Sequence, residues 1–72
     1  MEKIYVRLLD ECTEVYRPVL ALQVGPSVFE ISSEQPYNAD DETWEFPPGS
    51  RVTVAAQTRE GKLLLIAVSP SQ

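Results

Sequence analysis

The apolar residues of this chain recur at every second position, in short runs cut by turn-forming residues. This spacing constrains the fold more than any other feature, because a period of two sends one side of a strand to a core and the other to water. The first run, Lys3 to Leu9, sets Ile4, Val6 and Leu8 against Lys3, Tyr5 and Arg7. "SVFEIS" at 27–32 places Phe29 and Ile31 on one side, and "RVTVAAQTR" at 51–59 does the same with Val52, Val54 and Ala56. The dipeptide Glu60-Gly61 is a tight-hairpin signal between that run and "KLLLIAVS". No segment keeps a helical period over three turns, although one helical turn fits "ADDET" at 39–43.

The second run, Glu14 to Val24, is longer and contains Pro18. Proline has no N–H to give a ladder, so this strand lies at an edge there or bends at a bulge. Five short strands in a chain of 72 residues must remove their edges by closing. The expected fold is all-β: one small five-stranded antiparallel SH3-like barrel over residues 1–69, with a frayed tail at 70–72. A partly open OB-like barrel is the alternative.

The last run is apolar on both faces, with Leu63, Leu65 and Ala67 on one and Leu64, Ile66 and Val68 on the other. The second run behaves similarly around Val19 to Leu22. A small barrel has one wet face, so something must cover the surplus. A second copy of the chain is one candidate, making Leu20, Leu22, Leu64, Ile66 and Val68 the residues expected at a homodimer contact. The other candidate is the connection between the third and fourth strands, folded back.

That connection, "QPYNADDETWEFPPGS" at 35–50, holds three of the six aromatic residues and three of the six prolines. Residues 33–49 also carry five acids and no base, while the remaining six acids and six bases balance, so this stretch carries the whole net charge of −5. Nucleic acid is a poor partner for such a chain, since phosphate binding needs a basic footprint. A protein partner, if electrostatically recognised, is cationic. Tyr16, Tyr37, Asp40, Asp41, Glu42 and Trp44 are the candidate partner contacts. Trp44 and Phe46 also admit inward packing as a plug for the barrel, which is preferred because a small core needs large side chains. Arg17, Phe46, Pro47 and Gly49 are expected to anchor the connection, with Arg17 paired to Asp41, Glu42 or Glu45.

Catalytic chemistry finds few players. The chain has no histidine, and its single cysteine, Cys12, has no base at a meaningful spacing. Asp40, Asp41 and Glu42 are adjacent rather than spaced around a glycine-bearing turn, as a calcium loop requires. No enzyme activity, metal or cofactor is expected. The N-terminal stretch "MEKIYVRLLDE" is too interrupted by charge for a signal peptide or a membrane span, which points to a cytoplasmic protein without a membrane partner.

With "VRLLDE" at 6–11, "VYRPV" at 15–19 and "DETWEFPPGS" at 41–50 in that order, the chain resembles a family of small, uncharacterised bacterial proteins. The likeness spans Tyr5 to about Val68. It implies a coherent small barrel and, since the family carries no assigned activity, little about function. The family's turn after "LLDE" usually holds glycine; here it holds Cys12. Taken together, the expected function is that of a non-enzymatic protein-interaction module, acting through self-association or the acidic aromatic connection. An acidic inhibitor or immunity-type protein that occupies a cationic site is the alternative.

Overall fold

The computed structural model describes residues 1–9, 15–35, 37, 40 and 43–71. Its strands are β1 (Glu2–Arg7), β2 (Tyr16–Gln23), β3 (Val28–Ile31), β4 (Arg51–Arg59) and β5 (Lys62–Pro70). They stand in chain order around a closed barrel. Consecutive strands are antiparallel. The pair that closes the barrel, β1 with β5, is parallel, with Tyr5 opposite Ile66. The expected all-antiparallel pairing therefore fails at one seam, for a simple reason. In an up-and-down order an odd number of strands leaves the first and last running the same way.

The core follows the period-two reading. Ile4, Val6 and Leu8, Val19 and Ala21, Phe29 and Ile31, and Val52 and Val54 are all buried. Register brings these sets together, because Ile4 faces Val19 and Phe29 faces Val52, and directly opposed residues share a face.

Pro18 sits where its missing donor costs no ladder bond. β3 pairs with β2 only from Ala21 to Gln23. The Leu20 N–H and C=O both point to the β3 side, where they meet Gln35 and Ser32. Backbone groups alternate along a strand, so the Pro18 nitrogen points the same way, past the end of β3. Of the two expectations for this residue, the edge is the one observed.

The β4–β5 hairpin ends in a tight turn at Glu60 and Gly61, both with positive φ (52° and 78°). Two positive φ values in a two-residue loop make a type I′ turn, whose twist suits the flanking strands. Along β5 the register slips once, so that Thr53 faces Ser69 while Val54 faces Ala67. Val68 is the extra residue of this bulge. The strand reaches Pro70, and the Ser71 N–H donates to the Arg51 carbonyl at 2.9 Å. β5 and this bond thus reach one and two residues beyond position 69.

Candidate functional site

The connection between β3 and β4 is part of the barrel wall from Thr43 onward. The Leu9 N–H donates to the Thr43 carbonyl, and the Glu45 N–H to the Arg7 carbonyl, both at 2.8 Å. Leu8 faces Trp44 across this short antiparallel bridge. On its other side Leu8 donates to the Val15 carbonyl at 2.9 Å. Residues 43–45 therefore continue the sheet beside the end of β1. At the far end of the connection Gly49 donates to the Ile31 carbonyl, and Ile31 to the Ser50 carbonyl, each at 2.8 Å.

The turn between these two seams follows from its sequence. Ser50 N–H reaches the Pro47 carbonyl at 3.2 Å, and Gly49 has φ of 90°. Proline second and a positive-φ glycine third are the signature of a type II turn. Trp44, at 4% exposure, and Phe46 are buried in the core cluster. Trp44 is thereby removed from the partner contacts: it plugs one end of the barrel. Tyr37 is half-buried and packs on it, with ring centroids 4.7 Å apart and planes tilted by 55°.

The other expected contact residues are dispersed. Asp40 is exposed. Asp41, Glu42 and Cys12 lie outside the described residues, as does most of the expected helical turn at 39–43. Tyr16 is half-buried, and the Arg59 guanidinium carbon stands 5.4 Å from its ring centroid. Both belong to strand segments beyond the reach of β3, so this cation–π contact ties together two strands that β3 does not span. Arg17 is exposed opposite Val6, near the end of the β1–β2 ladder. Pro47 is exposed at the head of its turn.

The expected self-association surface divides in two. Ile66 is only 2% exposed and drops out of it. It lies opposite Tyr5 and Ala55, outside the core cluster, in a row that runs from Pro18 through Tyr5 and Ile66 to Ala55. Cross-strand neighbours along this row are positioned to cover it. Leu64 is half-buried, and Val68 is about half exposed at the bulge. Leu20 and Leu22 are 49% and 52% exposed on the outer face of β2. β1 stands between β2 and β5, and its outward residues are Lys3, Tyr5 and Arg7. The two apolar strips are therefore separate surfaces.

The β2 strip is the better built. Leu20, Leu22 and Val24 are exposed along it, with Met1 beside Leu22. Next to them opens a hollow of about 240 Å³, lined by Met1, Leu22, Glu30, Ser32, Ser33 and Glu34. Its wall is held by Gln35, a residue that no periodicity argument singles out. The Leu20 N–H donates to Gln35 Oε1 at 2.9 Å. Gln35 Nε2 donates to the carbonyls of Leu20 at 2.9 Å and Ser32 at 2.8 Å. The side-chain amide thus pairs with β2 as a neighbouring strand's peptide group would. Ser32 Oγ accepts from the Glu34 N–H at 3.2 Å, which fixes the rest of the turn. Glu30 enters this site only through register, directly across from Leu22.

No family model, curated protein or solved structure matches this chain. Among the described residues, no helix is long and apolar enough to cross a membrane. No group of three or more histidine, cysteine, aspartate or glutamate residues among them is placed to hold a metal ion.

Proposed function

We propose that the chain is a non-enzymatic protein-interaction module of the cytoplasm whose contact surface is the outer face of β2. One observation carries the reading: Leu20 and Leu22 are each about half exposed on the outer face of β2, with Val24 exposed just past the end of the strand and Met1 beside Leu22. Scattered exposed apolar residues are ordinary, but a contiguous strip marks an interaction site. The resemblance to small bacterial proteins, carried by "VYRPV" and "DETWEFPPGS", belongs to this reading as its family context.

The test pairs light scattering with partner capture, using the wild type and a Leu20→Ser, Leu22→Ser double variant. A mass that rises with concentration in the wild type, and not in the variant, assigns the face to self-association. A monomeric wild type whose bound proteins are lost in the variant assigns it to another protein. The reading fails if the mass is monomeric and the captured proteins are the same for both chains.

The charge map favours one second reading, an acidic inhibitor or immunity-type protein. Residues 33–49 carry the entire net negative charge of the chain, and Asp40 is exposed on that stretch. Reversing the charge of Asp40, Asp41 and Glu42 together then abolishes capture of a cationic target, and high salt weakens it in the wild type. A partner retained by the triple variant excludes this reading.

A further inference from the structure

We infer that the hollow beside β2 receives a lysine or arginine carried within an apolar segment of a partner protein. The inference rests on the reading that the outer face of β2 is the contact surface, and it adds the partner's chemistry. Four observations support it. The lining joins apolar side chains, Met1 and Leu22, to two carboxylates, Glu30 and Glu34, and contains no basic side chain, so its acids outnumber its one cationic group, the Met1 α-ammonium. The nearest basic side chains on this outer surface lie outside the lining: Arg51 faces Glu30 from β4, and Lys3 faces Leu20 from β1. Lys3 is directed elsewhere, with Nζ 6.0 Å from the Tyr5 ring centroid. The wall bearing Glu34 is pre-formed by the Gln35 and Ser32 hydrogen bonds, so binding need not order it.

The geometry divides the work between two kinds of group. Leu20, Leu22 and Val24 offer apolar area to the flanking side chains of the partner. Glu30 and Glu34 offer acceptors to an ammonium or guanidinium in the hollow, and charge-assisted hydrogen bonds are stronger than neutral ones. A partner with glutamate at the same point would meet two like charges, which gives discrimination as well as affinity. A purely apolar partner would leave both carboxylates covered and unpaired, at a desolvation cost.

The experiment titrates the full chain with two short peptides of equal length, one alternating leucine with lysine and one alternating leucine with glutamate. Calorimetry reads affinity, and backbone amide shifts read location. The lysine peptide should bind, moving the amides of Leu22, Glu30 and Glu34, while the glutamate peptide should not. Glu30→Gln with Glu34→Gln should weaken the lysine peptide about tenfold. Glu34→Gln alone, at an exposed position, should weaken it by less and serves where the double variant fails to fold. Equal binding of both peptides, unchanged affinity in these variants, shifts confined to residues 37–46, or no binding of the lysine peptide each overturns the inference. Loss of binding in Leu22→Ser with no change in the glutamine variants would overturn it while leaving the contact face itself intact.

Discussion

Glu60 is the one described residue other than glycine with positive φ. An L-residue held in the left-handed region costs about 1–2 kcal/mol, a cost that asparagine partly escapes through its short polar side chain. The type I′ turn demands this conformation, so the strain persists for the sake of the β4–β5 hairpin. Glu60→Asn should therefore raise stability by about 0.5–1 kcal/mol, or several degrees in Tm for a domain this small. Urea unfolding checks it, and an unchanged midpoint would mean that the turn carries no strain. Gly49 shows the opposite sign. A Cβ there would meet nothing within 4 Å, yet φ is 90°. Gly49→Ala should then cost on the order of 1 kcal/mol through the backbone alone. Gly49→Asn should recover part of that loss.

At the scale of elements, the turn at 32–35 shows how a short β3 is tolerated. β2 runs on past the last residue of β3, which exposes an edge of the kind that invites pairing with other chains. Pro18 removes one donor from that edge, and the Gln35 amide occupies the next backbone pair, at Leu20. Gln35→Ala leaves the Leu20 N–H without this partner and should cost about 1–2 kcal/mol. Hydrogen exchange at the Leu20 amide should speed up by more than the global loss of stability explains. Exchange that follows the global change alone would show that Gln35 does not hold the edge locally. The strands themselves were legible, because alternation at Ile4–Leu8, Phe29–Ile31 and Val52–Val54 encodes face directly. So was the edge at Pro18, since proline chemistry admits few positions. The end of β3 was not, because "SVFEIS" contains nothing that separates four paired residues from six. Gln35 could not be seen for the same reason: its partner is fixed by three-dimensional register rather than by any local pattern. The two apolar faces of β5 were visible, but which of them a neighbouring strand would shelter depended on the parallel seam with β1. That seam put Ile66 between Tyr5 and Ala55, and left Val68 exposed at its bulge.

At the scale of the whole molecule, the connection from Thr43 to Ser50 decides whether this is a barrel with a lid or a barrel that includes its long loop. A lid rests on a finished core and opens at lower free energy than the rest. Here the segment is bonded through its backbone to β1 at one end and to β3 at the other, and it contributes Trp44 and Phe46 to the core. A domain of 72 residues has little stability to spare, and truncating a buried tryptophan costs about 3–5 kcal/mol, comparable to the total for many small domains. The plug and the strands should therefore form and melt together. Trp44 is the only tryptophan, so fluorescence reports this segment alone while far-UV circular dichroism reports the strands. The two signals should trace one urea transition with the same midpoint and slope, as two-state unfolding requires. Acrylamide quenching of Trp44 should stay low up to that transition and rise only through it. A fluorescence change or quencher access that precedes loss of the strand signal would mean that the connection opens by itself. In that event Trp44 would regain its place among the contact residues, and the acidic stretch before it would become the more plausible partner surface. If the transitions coincide, the connection is a wall of the barrel and partner binding falls to the surfaces left open on it, the outer face of β2 first among them.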